Sequence, residues 1–108
     1  MVWIRIGTAA EFPPGELHVR HLLGRPVGIR QAGDGTISAI ELACRHQGAD
    51  LSAGQRDGPL VTCPRHAWRY NLETGACLTA PDLPLRQLAV KSEAGKLYVD
   101  PVPRLGGD

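Results

Sequence analysis

The sequence predicts an all-β fold, an antiparallel β-sandwich or open barrel built from seven or more short strands. Two observations support this prediction. Apolar and polar residues alternate over several short segments, with the period of a half-buried strand. The chain also has 13 glycines and 9 prolines among 108 residues, so turns interrupt it often. With 43% hydrophobic residues it can bury a small core, and we expect one domain over residues 1–108.

The first half of the chain contains four predicted strands. A Pro-rich connection separates the first two, and the last two flank Asp34-Gly35, a dipeptide typical of β-hairpin turns. The fourth strand runs directly into Cys44, so a rigid element would deliver the segment that follows. The predicted strands cover residues 2–6, 16–20, 27–31 and 36–42.

The second half is richer in turns. Residues 45–58 are polar and contain glycines, which predicts a loop, and residues 71–75 predict a turn. Residues 101–108 combine proline, glycine and charge, and we expect a loosely held tail there. The predicted strands are 60–62 and 68–70, followed by a closing hairpin of 86–91 and 96–99 with its turn at 92–95.

Residues 44–66 contain two pairs of metal-ligand side chains. Cys44 and His46 form a C-x-H pair, Cys63 and His66 form a C-x-x-H pair, and sixteen residues separate the pairs. Two thiolates and two imidazoles suit either tetrahedral zinc or an iron–sulfur centre. Zinc knuckles usually group two cysteines and then two histidines, whereas each pair here mixes the two ligand types. The mixed order is typical of a Rieske [2Fe–2S] centre, in which two histidines replace two cysteines on one iron.

The flanking residues extend this motif into a resemblance to a known family. Over residues 38–100 the chain is similar to the Rieske ferredoxins. The similarity includes the second ligand pair and the residues after it, 63–70 (CPRHAWRY). It continues at Gly48, residues 51–54 (LSAG), residues 71–75 (NLETG), Pro81 and Leu85.

The resemblance implies both a fold and a cofactor. A small all-β base would carry a two-loop cluster-binding subdomain at about residues 44–78, with Pro81 and Leu85 covering the cluster from a third side. One Rieske-type [2Fe–2S] cluster would be bound, with two cysteines on its inner iron and two histidines on its outer, solvent-facing iron. The implied ligands are Cys44, His46, Cys63 and His66.

The function that this resemblance implies is electron transfer. A soluble Rieske ferredoxin carries single electrons from an NAD(P)H-dependent flavoprotein reductase to a terminal oxygenase that hydroxylates aromatic rings. The sequence offers no nucleophile–base pair, carboxylate dyad or 2-His-1-carboxylate site, so we expect a carrier and not an enzyme. Two alternatives stay open. One is the small Rieske subunit of an assimilatory nitrite reductase, which would bind a large subunit, and the other is a zinc-binding structural module.

Composition and charge restrict the partners and the setting. A net charge of +1 argues against nucleic acid and anionic membranes as partners, and no stretch approaches the ~20 apolar residues of a membrane span. Three cysteines do not make a disulfide framework, so we expect a reducing, cytoplasmic setting. The default expectation for the oligomeric state is a monomer. Cys77 is left over from the motif and is predicted to be a small buried hydrophobe. His18 and His21 face opposite sides of one predicted strand and are given no ligand role.

Two further expectations concern the reduction potential and the docking surface. High-potential members of the family carry loop cysteines and a serine where this chain has Ala49, Arg65 and Trp68, although Tyr70 matches the family's tyrosine. Fewer hydrogen bonds to sulfur predict a potential near the low end of the Rieske range, about −150 mV. Basic residues outnumber acidic ones in the two loops, which predicts a basic docking surface for an acidic partner. These residues are Arg45, Arg56, Arg65 and Arg69.

Overall fold

The fold is almost entirely β-structure, which confirms the predicted class. The computed structural model describes residues 2–45, 48–65 and 67–102, and within them ten strands form three antiparallel sheets. Two short 3₁₀ helices, Ala9–Glu11 and Leu51–Ala53, lie between strands. In chain order the strands are β1 (Ile4–Gly7), β2 (Leu17–Leu22), β3 (Arg25–Gln31), β4 (Ile37–Glu41), β5 (Gln55–Asp57), β6 (Leu60–Thr62), β7 (Arg69–Asn71), β8 (Gln87–Leu88), β9 (Val90–Glu93) and β10 (Lys96–Val99).

The central sheet has the strand order β2-β3-β4-β8. The hairpin predicted around Asp34-Gly35 is confirmed, because β3 and β4 pair from Val27 opposite Glu41 to Gln31 opposite Ile37. Strand β2 pairs with β3 along its whole length. The strand that leads into Cys44 is therefore held on both sides, by β3 and by β8.

Two hairpins close in two-residue turns in which both residues have positive φ. Leu23 (φ 53°) and Gly24 (φ 75°) join β2 to β3, and Ala94 (φ 52°) and Gly95 (φ 79°) join β9 to β10. Such turns match the right-handed twist of the paired strands. The closing hairpin predicted from the sequence is confirmed, but its turn is shorter than residues 92–95 because the first two of them extend β9.

Both faces of the central sheet are buried. On one face its side chains pack against the β1-β10-β9 sheet and form what we call the base core. On the other face they pack against the β5-β6-β7 sheet and the segments around it, forming the loop core. The base core comprises Phe12, Val27, Ile29, Ala39, Leu88, Leu97 and Val99. The loop core comprises Ile40, Leu42, Cys44, Ala49, Leu51, Val61, Cys63, Tyr70, Leu72, Cys77 and Leu85.

Gly28 allows side chains to cross the central sheet closely on the loop-core face. A Cβ atom at this position would lie 3.0 Å from Leu17 Cδ1, 3.2 Å from Leu42 Cδ2 and 3.3 Å from Ile40 Cγ1. The space that a side chain would take is thus filled by leucine and isoleucine from the neighbouring strands. Close packing of this kind fixes the loop core on the sheet.

The β5-β6-β7 sheet lies within the predicted cluster-binding subdomain. Strands β6 and β7 match the segments predicted at 60–62 and 68–70, whereas β5 lies in the predicted loop 45–58. All three β5 residues are polar and exposed, so they show no alternation that would have identified a strand. Gly54 precedes β5, and a Cβ atom there would lie 2.3 Å from the Thr62 carbonyl oxygen. The close approach of β5 to β6 therefore depends on glycine.

The segment predicted as one strand at 86–91 is divided between two sheets. Strand β8 pairs with β4, with Leu88 opposite Ala39, while β9 pairs with β10. The change of partner occurs at Ala89, whose carbonyl accepts a hydrogen bond from the Asp100 amide at 3.0 Å. The prediction of one continuous strand is wrong because periodicity alone does not report which strand is the partner.

The last described residues are held in place. Pro101 is buried, and the Val102 amide donates to Asp100 Oδ1 at 3.0 Å. Pro101, the first residue of the predicted loose tail, is therefore packed against the fold, while residues 103–108 lie outside the described part of the chain and the tail stays a prediction. Among the described residues, no helix is long and apolar enough to cross a membrane.

Candidate metal centre

Two of the four predicted ligands, Cys44 and Cys63, lie in the loop core. Each is 2% exposed, and neither forms a disulfide. Cys44 follows β4 and Cys63 follows β6, so each thiol is delivered by a strand. His46 and His66 lie outside the described residues. The structure therefore brings the two predicted sulfur ligands into one core, and all four ligand roles stay a prediction.

The first ligand loop, residues 44–49, is closed by backbone hydrogen bonds. The Cys44 amide donates to the Ala49 carbonyl at 2.9 Å, and the Gly48 amide donates to the Cys44 carbonyl at 2.6 Å. Gly48 has φ 73°, a conformation that glycine adopts without steric cost. Gly48 thus has a local structural role, since it lets the chain turn back toward Cys44.

The second ligand loop, residues 63–68, repeats this pattern. The Cys63 amide donates to the Trp68 carbonyl at 2.7 Å, and the Ala67 amide donates to the Cys63 carbonyl at 3.1 Å. Ala67 takes the position of Gly48 and has φ 60°. A non-glycine residue in this region is strained. The described residues of the two loops therefore share two hydrogen bonds and one positive φ, although the histidines stand at different offsets from the cysteines.

The loops differ in how their ends are held. The second loop joins β6 to β7, and the strand ladder reaches its base, where Thr62 pairs with Arg69. At the base of the first loop there is an isolated bridge between Ala43 and Asp50, followed by a hydrogen bond from the Leu51 amide to the Leu42 carbonyl at 2.8 Å. The first loop thus has the weaker backbone support.

Tyr70 lies directly beside the first thiol. Its side chain is fully buried, and its hydroxyl oxygen is 3.4 Å from Cys44 Sγ and accepts a hydrogen bond from the Arg45 amide at 2.9 Å. Burial, together with the contact to Cys44, raises the pKa of Tyr70 well above its ordinary value, so the hydroxyl keeps its proton. With its oxygen occupied by the Arg45 amide, the hydroxyl can donate that proton to the Cys44 sulfur.

Arg45 joins the first ligand loop to the segment after β7. Its guanidinium donates to the Pro84 carbonyl at 2.7 Å, and the neighbouring Leu85 is buried in the loop core. The resemblance implied that Pro81 and Leu85 cover the cluster, and of these two Leu85 is buried whereas Pro81 is exposed. Arg45, which the sequence analysis places in a basic docking surface, therefore also has a structural partner.

Cys77 is 2% exposed and belongs to the loop core, as expected of a small hydrophobe. Its Sγ also accepts a hydrogen bond from the Ala80 amide at 3.2 Å. It pairs with Tyr70 in an isolated bridge. The third cysteine thus supports the strand that carries Tyr70.

The two histidines of β2 have separate environments. The ring of His18 packs edge-on against Phe12 at 5.3 Å between centroids, on the base-core face. His21 Nε2 lies 2.9 Å from Asp50 Oδ2. Asp50 was not distinguished from the other carboxylates by sequence, although an Asx-type cap of the following 3₁₀ helix is a recognisable local signal in D-x-S.

Asp50 accepts hydrogen bonds on both carboxylate oxygens. Besides His21 on Oδ2, the Ser52 amide (2.8 Å) and the Ser52 hydroxyl (2.6 Å) donate to Oδ1. Partial burial raises the pKa of this carboxyl, but the hydrogen bonds from Ser52 and His21 outweigh burial and hold the pKa below its ordinary value. Asp50 is therefore ionised at neutral pH.

The donor set fits an iron–sulfur centre. Burial of a thiolate is unfavourable unless a cation compensates it, and two free thiols in one core, each on a closed loop, suit a centre held by cysteine sulfur. In the described ranges no group of three or more His, Cys, Asp or Glu is placed to hold a metal ion. Those ranges exclude His46 and His66, the two residues needed to complete the predicted set.

Comparison with known proteins supports the same assignment. Residues 2–92 match the family model described as the Rieske [2Fe–2S] domain. Ferredoxin CarAc of Metapseudomonas resinovorans is 31% identical over 91% of this chain and 92% of its own. The oxygenase component of a Rhodococcus rhodochrous 3-ketosteroid-9-alpha-monooxygenase is 32% identical over 73% of this chain but only 20% of its own length.

Solved structures agree with these sequence matches. The ferredoxin of carbazole 1,9a-dioxygenase from Nocardioides aromaticivorans IC177 has a TM-score of 0.64 and 27% identity, covering 94% of this chain and 100% of that one. A structure described as the small subunit of an NADH-dependent nitrite reductase from Mycobacterium tuberculosis has a TM-score of 0.61, covering 91% of this chain and 93% of that one. At 24% identity it shares the fold alone.

The fold and the two thiol-bearing loops define a small iron–sulfur protein. The chain belongs to the Rieske [2Fe–2S] ferredoxin family, and its cofactor is the family's [2Fe–2S] cluster.

Proposed function

We propose that this protein is a Rieske ferredoxin that carries single electrons to a terminal oxygenase. The observation that carries the proposal is the extent of the match to ferredoxin CarAc, which covers 92% of that ferredoxin, against 20% of the monooxygenase component. The ligands in this proposal are Cys44, His46, Cys63 and His66.

The residues around the thiols support fast one-electron transfer. When bound, the cluster supplies the one-electron oxidation and reduction. Cys44 and Cys63, each 2% exposed in the loop core, would hold it through their sulfur atoms. Both loops are closed by backbone hydrogen bonds, which would limit how far the surroundings rearrange when the charge of the centre changes. A preorganised site of this kind lowers the cost of each transfer.

The finer parts of the proposal concern partners and setting. The donor would be an NAD(P)H-dependent flavoprotein reductase and the acceptor an aromatic-ring hydroxylating oxygenase, with the ferredoxin acting as a cytoplasmic monomer. Arg65 lies in the second ligand loop and Arg69 directly follows it; both are exposed and would meet an acidic surface on either partner. Arg45 is left out of this docking surface because its guanidinium is bonded to Pro84.

The first test is composition and colour. Protein produced with iron available should be red-brown, contain two irons and two labile sulfides per chain, and bleach with dithionite. Replacing Cys63 with serine should abolish the colour, whereas Cys77→Ser, a matched change in the same core, should retain it. A colourless protein with one zinc per chain would make this a structural module instead.

The second test is electron delivery. The reduced protein is mixed under single-turnover conditions with the oxygenase component of carbazole 1,9a-dioxygenase, and reoxidation is followed by visible absorbance. Oxygenase-dependent reoxidation is the expected result. If instead the protein co-purified with a sirohaem nitrite reductase and reduced only that enzyme, the oxygenase assignment would be overturned.

A further inference from the structure

We propose that His21 is a positioning residue for the first ligand loop and acts through Asp50. The inference rests on the proposed function, because Cys44 and His46 of that loop are proposed ligands. His21 has no ligand role, as the sequence analysis expects. It holds the loop through Asp50 and does not touch the cluster.

The contact itself joins two distant parts of the chain. His21 Nε2 lies 2.9 Å from Asp50 Oδ2, across 29 positions of sequence. The other oxygen of the same carboxylate accepts both hydrogen bonds from Ser52, which lies in the 3₁₀ helix Leu51–Ala53 after the loop. Both oxygens of Asp50 are thus engaged, one by the helix that follows the loop and the other by β2.

His21 is anchored by the central sheet. Strand β2 pairs with β3 over six residue pairs, with His21 opposite Pro26. Leu17 and Val19, which precede His21 by four and two positions, pack on the loop core, so His21 faces the same side. The histidine therefore projects from a rigid element toward the ligand loop.

The first loop needs this support more than the second. The β6-β7 ladder runs directly into the second loop, and its last pair is Thr62 with Arg69. The first loop ends in an isolated bridge between Ala43 and Asp50. The His21 contact falls on the residue that forms that bridge, and so it closes the loop where the backbone holds it least.

The test compares the two loops within one molecule. Hydrogen exchange is measured at the amides of Cys44 and Gly48 in the first loop and of Cys63 and Ala67 in the second. In His21→Leu the first pair should exchange about threefold faster, the effect of losing one half-exposed hydrogen bond. The second pair should be unchanged. A general loss of stability would instead accelerate both loops.

Cluster retention gives the second readout. Release of iron to a chelator should be about threefold faster in His21→Leu and in Asp50→Asn than in the parent protein. His21→Gln places an amide donor near the position of Nε2. It should return both the amide exchange of the first loop and the rate of iron release to the values of the parent protein. His18→Leu is the matched control, since it removes a histidine of the same strand from the opposite face.

The positioning role would be overturned if His21→Leu changed the exchange rates of both loops by the same factor. It would also be overturned if His21→Gln did not return the first loop to the exchange rates of the parent protein. Hydrogen exchange is read from the same four amides whether or not iron is bound. A protein that never assembles a cluster would therefore count against the proposed function, while the exchange comparison would still decide the role of His21.

Discussion

The hydroxyl of Tyr70 lies 3.4 Å from the sulfur of Cys44 and at the same time accepts the Arg45 amide at 2.9 Å. The residue after the cysteine therefore fixes the tyrosine that contacts the cysteine. Since the hydroxyl is buried and keeps its proton, it is a permanent donor for a negatively charged sulfur.

Tyr70→Phe should lower the midpoint potential of the bound cluster. Reduction adds negative charge, so losing a hydrogen bond to sulfur destabilises the reduced state more than the oxidised one. A loss of about 1 kcal/mol corresponds to about 40 mV for one electron, starting from an expected value of about −150 mV. A redox titration followed by visible absorbance measures this. Tyr98→Phe, on β10, is the control and should leave the potential unchanged.

The equivalent positions Gly48 and Ala67 should respond in opposite directions to exchange of glycine and alanine. Ala67→Gly relieves a left-handed conformation at an exposed site and should stabilise the protein by about 1 kcal/mol. Gly48→Ala introduces the same strain into open space and should destabilise by a similar amount. Thermal unfolding should show the melting temperature rising in the first variant and falling in the second, by about 4 °C each. Two shifts of the same sign would show that the loops are not equivalent.

Replacing the Asp50 carboxylate should lower the free energy of unfolding by less as the pH falls. The pKa of Asp50 is lowered in the folded protein, so its stabilisation is present above the ordinary pKa of 3.8 and is lost as pH falls through the folded value. Urea unfolding of the parent and of Asp50→Asn should therefore differ most at neutral pH and converge near pH 2. A difference that stays constant down to that pH would mean that the carboxylate charge contributes nothing.

Reversing the charge at the second ligand loop should slow reaction with an acidic partner. Arg65→Glu should reduce the rate of reduction by the partner about tenfold at low ionic strength, because electrostatic steering is lost. Raising the salt to about 1 M should remove most of the difference. Arg5→Glu makes the same charge change on β1, in the sheet beyond the base core, and should leave the rate nearly unchanged. Equal slowing in both variants would point to net charge and not to a docking surface.

Much of the fold could be predicted from alternation and turn residues. The β3-β4 hairpin and the strands leading to Cys44 and Cys63 follow from patterns within about ten residues, where local physics decides. Strand β5 could not be found this way, because all its side chains are exposed and only its pairing with β6 makes it a strand.

The candidate site likewise has features that local sequence patterns predict and features that they do not. Cys44, Cys63 and Tyr70 follow from spacing and resemblance, whereas the partners of Asp50 and Arg45 do not. The two histidines stay a prediction, because they lie outside the described residues. Asp50 meets a histidine 29 residues away, and Arg45 meets a carbonyl 39 residues away. Such contacts depend on how the sheets pack, which no local pattern records.

The pairing of β1 with β10 places Ile4 opposite Val99, so the two ends of the described fold are neighbours in one sheet. That sheet packs on the base core, on the far side of the central sheet from Cys44 and Cys63. A domain joined to either end of the fold would therefore not cover the loops that carry Cys44 and Cys63, where electron transfer is proposed. The same unit can serve as a separate shuttle or as a module inside a longer polypeptide, and in the monooxygenase component it matches only 20% of the length.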